Sequence, residues 1–285
     1  MQPGKQGPIA VIAGSGRLPV LVVEALARSG REHRVLGFRG FVCADLRRRA
    51  DALVDILDVR TSLEYLRSWS PAAVTSAGGV RRPSPSALLG AFSAFRNRRE
   101  IADLVALGDD GLLRGMVSLV EGEGHMVVGV HELAPDLLAQ AGVQGGVRPD
   151  EHDKRSIAAG IGLLDSLSAH DVGQAAVVVE RRVLAVEGPE GTDRMLRRAG
   201  QLAASWRPWR KQARGVLVKA VKKGQDVRID MPAIGARTIV EAKRAGLRGV
   251  AIGARSTIVI DREDTIETAD RLGLFLVGVD VPWTA

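Results

Sequence analysis

Residues 215–238, GVLVKAVKKGQDVRIDMPAIGART, bring Lys219, Lys222, Asp226, Arg228 and Asp230 close together after an apolar run and before Pro232 and Gly235. Cationic side chains neutralise phosphoryl oxygens, while closely spaced carboxylates hold Mg²⁺ or orient a water, provided a rigid strand end fixes them. The spacing therefore predicts phosphate and divalent-metal chemistry. The competing reading is a solvated loop whose charges compensate one another.

Four further clusters bear on those readings. Gly14, Ser15, Gly16 and Arg17 stand where a first apolar run gives way to a helical pattern, so backbone N–H groups and a helix N-terminus are expected at a phosphate. Pro19 occupies the position where a dinucleotide fingerprint wants its third glycine, and no P-loop lysine is present, which weakens a nicotinamide or ATP reading. Gly78, Gly79, Arg81 and Arg82 follow another apolar run and could form the second wall of the same nucleotide crevice, or simply an exposed basic loop. Glu187, Glu190, Thr192 and Asp193 surround a glycine turn at a helix start. Some of their oxygens could meet Asp226 or Asp230 around Mg²⁺, or Thr192 and Asp193 could be only a helix cap. Trp206 and Trp209, set among Arg207, Arg210, Lys211 and Arg214, read as base-stacking or lipid-interface anchors or, more commonly, as packing against the preceding helix.

The elements that must position these residues follow from periodicity. Apolar runs at 8–13, 34–38, 52–57 and 72–76 alternate with helical segments at 18–28, 61–68, 86–95 and 98–107, the pattern of a Rossmann-like parallel sheet. HMVVGVHELAPDLLAQAG reads as one more strand and helix, and Gly108 to Gly111 as a polar turn before a helix. The glycine- and charge-rich stretch 144–154 reads as a boundary, giving an α/β domain over 1–145 and a mixed α/β domain over 146–285. The second half predicts a helix at 153–168 and a hairpin from AAVVVE and RVLAVEG. Helices at 190–204, 235–245 and 262–272 are interleaved with strands at 215–220, 249–252, 257–260 and 274–279.

Composition narrows the function classes. With 285 residues, 46% of them hydrophobic, the chain can bury two ordinary cores, and no stretch approaches a membrane span. The absence of a signal-peptide pattern gives a cytoplasmic expectation. One cysteine excludes an internal disulfide, and five scattered histidines without zinc spacing make any metal oxygen-ligated. A net charge of +7 favours an anionic partner, whether nucleic acid, an acidic membrane surface or a phosphorylated ligand.

The segments IAGSGRLP, AGGVRRP, GDDGLLR, EGEGHMVVGVHEL, DVGQAAVVVERRVLAVEGPEGTDRML, GVLVKAVKKGQDVRIDMPAIGARTI and GLRGVAIGARSTIVIDREDTIETADRLGLFLVGV run almost the whole chain. Together they resemble the UDP-2,3-diacylglucosamine pyrophosphatases of lipid A biosynthesis of the LpxI type. The EGTD and QDxRxDxPxIG segments are the specific ones.

That resemblance implies hydrolysis of the pyrophosphate bond of UDP-2,3-diacylglucosamine to UMP and 2,3-diacylglucosamine 1-phosphate, with water attacking the α-phosphorus and Mg²⁺ assisting. On this reading Asp226, Asp230, Lys219 and Arg228 carry catalysis, and Asp226, Asp193 and Glu190 hold the metal. Gly14, Ser15, Gly16, Arg17, Gly78, Gly79, Arg81 and Thr192 bind the nucleotide sugar. The partners implied are an acylated UDP-sugar and, transiently, the cytoplasmic face of the inner membrane, with no nucleic acid; a homodimer is the default for a soluble enzyme. Two alternatives stand beside it. One is another nucleotide-sugar phosphohydrolase or transferase, and the other is a non-catalytic nucleotide or nucleic-acid binding protein, against which the basic residues are dispersed among 33 acidic ones.

Overall fold

The computed structural model describes residues 7–80, 108–170, 172–206 and 215–283. The helices expected over 86–95 and 98–107, together with Arg81, Arg82 and Trp209, lie outside the described residues. Two compact units are found, Met1–Pro135 with Arg228–Asp230, and Asp136–Val227 with Met231–Ala285.

In the first unit, strands β1 (Ile9–Ala13), β2 (His33–Phe38), β3 (Ala52–Val54) and β4 (Ala73–Ala77) form a parallel sheet in the order β3-β2-β1-β4. The order reverses direction beside β1, which leaves a crevice between the carboxyl ends of β1 and β4. IAVIA and AVTSA are near-continuous buried runs because a parallel sheet is covered on both faces. Helix α1 (Leu18–Arg28) follows β1 and takes Pro19 in its first turn, where a missing N–H costs nothing. Helix α2 (Ala44–Arg49) follows β2. Helices α3 (Val59–Trp69) and α4 (Gly108–Gly122) cover one face, where Leu63, Leu66, Val117 and Val120 pack on Ala10 and Val74.

Two expectations are corrected here. Residues 108–111 open α4 rather than forming a turn before it. The segment HMVVGVHELAPDLLAQAG makes only a parallel bridge of Val127 to Val74, the short helix α5 (Val130–Leu133) and one 3₁₀ turn, Pro135–Leu137. Pro135 lacks the N–H that a continuing helix needs. The units divide after Pro135, and Gly142–Val143 is a strand, β5, of the second unit. Residues 144–154, read as a boundary, lead from it into helix α6 (Glu151–Leu167).

The second unit holds a six-stranded mixed sheet in the order β5-β12-β10-β8-β6-β7. Its strands are β6 (Ala175–Val179), β7 (Arg182–Val186), β8 (Val216–Lys219), β10 (Gly249–Gly253) and β12 (Phe275–Val279), with β8, β10 and β12 parallel. The hairpin β6-β7 closes through Glu180 and Arg181, both at positive φ (48° and 70°), the geometry that matches strand twist in a two-residue loop. Helix α6 covers one face, where Ile157 and Leu164 meet Val216, Val218 and Phe275. The opposite face carries Leu217, Val250, Ile252 and Leu276 under helices α7 (Thr192–Trp206), α8 (Ala236–Arg244) and α9 (Arg262–Leu272). A two-stranded ladder, β9 (Ala233–Ile234) with β11 (Ile258–Val259), completes the unit. No helix among the described residues is long and apolar enough to cross a membrane.

Candidate active site

The glycine loops after β1 and β4 form one structure in the first unit. Ser15 and Gly79 make an antiparallel bridge, with Ser15 N–H donating to the Gly79 carbonyl at 2.7 Å and Gly79 N–H to the Ser15 carbonyl at 3.1 Å. The Ser15 hydroxyl donates to the same Gly79 oxygen at 2.6 Å, and Gly14 N–H donates to Ala77 at 2.9 Å. The loops approach so closely that a Cβ on Gly78 would lie 2.4 Å from the Ser15 oxygen and one on Gly14 2.7 Å from the Gly79 oxygen. Glycine at both positions has a packing reason. The N–H groups of Gly14 and Ser15 are committed to these carbonyls, so the anion-binding capacity of the segment rests with the first turn of α1 beyond them. Arg17 pairs with Glu24 on that helix, at 3.3 Å.

Beside these loops, in the same unit, lies a cavity of about 440 Å³. Its walls are largely apolar, with Ile12, Leu36, Leu63, Leu66, Val117 and Val120 among them. Ser76, Gly14, Gly78, Gly79 and Asp230 supply its polar rim at the carboxyl edge of the sheet. Arg228, the residue directly after Val227, pairs with Glu121 at 2.7 Å within the first unit. The charged turn read from sequence is thus divided. Arg228 and Asp230 group with the first unit, and the half-buried Asp226 with the second.

In the second unit, period two along β8 puts Lys219 on the face of Leu217, the face that α7 covers. Lys219 is 8% exposed, and its ammonium donates to the Thr192 hydroxyl at 2.8 Å at the start of α7. Thr192 in turn donates to Glu187 Oε1 at 2.7 Å, and Glu187 Oε2 accepts from the Gln174 N–H at 3.2 Å. Two expected site residues, Lys219 and Thr192, are therefore joined directly. Glu187, at the end of β7, is a partner that spacing alone did not single out from its acidic neighbours. The signal was Gly173 and Gln174 of DVGQ, whose backbone closes on the carboxylate.

The other acidic residues of this loop are engaged elsewhere. Glu190 accepts from Arg198 at 2.6 Å, which holds its carboxyl below the usual carboxylate range, with backbone N–H groups adding to the effect. Asp193 pairs with Arg237 at 2.8 Å. Among the described residues no group of three His, Cys, Asp or Glu side chains stands together as a metal site, so Asp226, Asp193 and Glu190 are not gathered as a ligand trio. For two of them the guanidinium groups explain why: Glu190 and Asp193 each already have a charge-assisted partner.

Comparison with known proteins reproduces this division. Residues 8–137 match the LpxI N-terminal domain and residues 140–277 the LpxI C-terminal domain. The chain belongs to the LpxI family. An LpxI from Caulobacter vibrioides, the UDP-2,3-diacylglucosamine pyrophosphatase of that organism, is 38% identical over 272 residues, 95% of this chain and 97% of the relative. Among solved structures, that of glycinamide-RNase-transformylase T from Mycobacterium tuberculosis aligns at 18% identity. It covers 64% of this chain and 44% of that one with a TM-score of 0.21, too low to carry an argument. The LpxI match spans both units, so the glycine loops and the Lys219 cluster both fall inside family domains.

Proposed function

We propose that this protein hydrolyses the pyrophosphate bond of UDP-2,3-diacylglucosamine, releasing UMP and 2,3-diacylglucosamine 1-phosphate. The observation that carries the reading is identity of 38% to a UDP-2,3-diacylglucosamine pyrophosphatase across 95% of this chain. In the reaction a water oxygen bonds to one phosphorus, the bridging oxygen leaves with the other, and two phosphomonoesters and a proton result. Such a substrate needs three things of the protein: a cation for the pyrophosphate, a group that orients water, and apolar space for acyl chains.

Lys219 supplies the first, as a buried ammonium at a strand end. Asp226 supplies the second, a half-buried carboxylate on the loop after β8. For the third, the first unit holds a cavity whose largely apolar walls suit an acyl chain. Mg²⁺ fits this donor set, since it is commonly held by one or two carboxylates together with substrate phosphates rather than by an all-protein cage. Asp226 would hold it, and the ion would offset phosphoryl charge when bound. The net charge of +7 suits transient attachment to an anionic lipid surface, where the acylated substrate resides.

The test is incubation with UDP-2,3-diacylglucosamine in ¹⁸O water with Mg²⁺ or a chelator, following UMP by chromatography and label by mass spectrometry. UMP release that requires acyl chains on the sugar is the expected result. Equal release from unacylated UDP-sugars would favour a general nucleotide-sugar phosphohydrolase instead. Label in UMP reports attack on the α-phosphorus, the expectation set by the resemblance, and label in the sugar phosphate reports attack on the β.

A further inference from the structure

We propose that Glu187 is a positioning residue for this reaction: it fixes the Thr192 hydroxyl so that the buried Lys219 ammonium becomes a receptor for a phosphoryl oxygen. The inference rests on the hydrolase reading for the identity of its anion, but its geometry stands by itself. A hydroxyl has one proton and two lone pairs, and an ammonium can only donate. The 2.8 Å contact from Lys219 therefore takes a Thr192 lone pair, and the Thr192 proton must go to Glu187 Oε1 at 2.7 Å. The direction of the chain is set by chemistry alone.

Glu187 is itself locked. Its second oxygen accepts from Gln174 N–H at 3.2 Å, while its backbone closes the open end of the β6-β7 hairpin through Gly173 N–H at 2.9 Å and Ala175 O at 2.8 Å. A Cβ on Gly173 would lie 2.4 Å from Glu187 Cγ, so only glycine admits this side chain beside it. Glu187 is 9% exposed and Lys219 8%, yet among the described residues Lys219 makes no ion pair. Its countercharge sits one hydroxyl away. Two of its three N–H groups remain after the bond to Thr192, and burial of a charge without a direct opposite partner is costly unless another anion completes it. A phosphoryl oxygen is the group that this reaction brings.

The assignment changes the role of Thr192 from a substrate ligand to a link. It also makes an isosteric change informative. In Glu187→Gln the amide offers one acceptor where two donors converge, so its NH₂ must face either the Gln174 N–H or the Thr192 oxygen. In the second case the hydroxyl accepts from both the amide and the ammonium, its proton loses the acceptor that fixed it, and Thr192 no longer holds Lys219 in one orientation.

The experiment compares Glu187→Gln, Thr192→Val, Thr192→Ser and the double variant Glu187→Gln/Thr192→Val. It reads steady-state hydrolysis of the acylated UDP-sugar and, separately, the rise in Tm produced by inorganic diphosphate. Glu187→Gln and Thr192→Val are each expected to lower kcat/KM by roughly 100-fold, and Thr192→Ser to retain activity within roughly 3-fold. The double variant should be no worse than the poorer single one, because both cut the same chain. Diphosphate stabilisation should be lost in the two relay-breaking variants and kept in Thr192→Ser. Multiplicative losses in the double variant, equal loss in Thr192→Ser and Thr192→Val, or unchanged diphosphate stabilisation in Glu187→Gln would overturn the proposal. If Glu187→Gln fails to fold, the Thr192 pair decides by the same two readouts. Diphosphate stabilisation that depends on the relay in a protein that hydrolyses no acylated UDP-sugar would sink the hydrolase reading and leave the anion site standing.

Discussion

At the scale of single residues, charge partners separate acidic side chains that sequence spacing groups together. Glu190 and Asp193 face Arg198 and Arg237, whereas Glu187 faces a hydroxyl and a backbone N–H. On our reading the half-buried Asp226, on the loop after β8, orients the water, so Asp226→Ala should lower kcat by about 10³-fold or more while substrate still binds. Rapid-quench turnover beside equilibrium binding checks this, and activity within tenfold of wild type would remove Asp226 from the mechanism. The engaged carboxylates make a different prediction. Glu190 is held below the usual range chiefly by the Arg198 hydrogen bond, and Asp150 chiefly by the Asp153 backbone N–H with help from Arg248. A depressed carboxyl stabilises the fold above its unfolded pKa, about 4, and that contribution is lost as pH falls through the folded value. Tm should therefore be level between about pH 7 and 5 and decline below about pH 4. Glu190→Gln and Asp150→Asn should each lower Tm at neutral pH and make the acid decline shallower; an unaltered slope in both would contradict the assignment.

At the scale of elements, one helix contains its own controlled comparison. Gly160 and Gly162 both lie in α6, but a Cβ on Gly160 would meet Val218 Cγ2 at 2.5 Å, whereas Gly162 has nothing within 4 Å. Replacing an exposed helical glycine by alanine gains up to about 1 kcal/mol, and overpacking a core typically costs about 1–3 kcal/mol. Gly162→Ala should raise the urea midpoint and Gly160→Ala should lower it; the same sign in both would mean that β8 yields to the added methyl. The comparison also shows why the sequence was legible in parts. Val218 and Phe275 belong to short buried runs whose period and bounding glycines announce strands, and Leu18–Arg28 and Arg262–Leu272 fall on the residues that periodicity indicates. The segment after Val127 departs from the expected helix because its apolar residues continue past Pro135, which interrupts the helix that their spacing suggests. The relay was half legible. Lys219 and Thr192 carry recognisable chemistry, but that Glu187 rather than Glu190 joins them depends on where Arg198 sits along α7, information that is tertiary.

At the scale of the whole molecule, 40 basic residues against 33 acidic ones leave a modest positive excess. An enzyme for a doubly acylated sugar must take its substrate from a lipid surface, and each suitably placed Lys or Arg near an anionic leaflet contributes about 1 kcal/mol. That attraction reaches only about a Debye length, about 10 Å at 0.1 M salt and 3 Å at 1 M. Charge within the protein is affected differently: Glu187 and Lys219, the charged ends of the Glu187–Thr192–Lys219 chain, are buried and largely sheltered from ions. Salt therefore separates delivery from chemistry. Hydrolysis of UDP-2,3-diacylglucosamine in anionic vesicles should fall steeply as salt rises from about 0.05 to 0.5 M, while hydrolysis in neutral detergent micelles changes little over the same range. Parallel salt curves in vesicles and micelles would show that the basic excess plays no part in reaching the membrane, and that salt acts on the reaction itself.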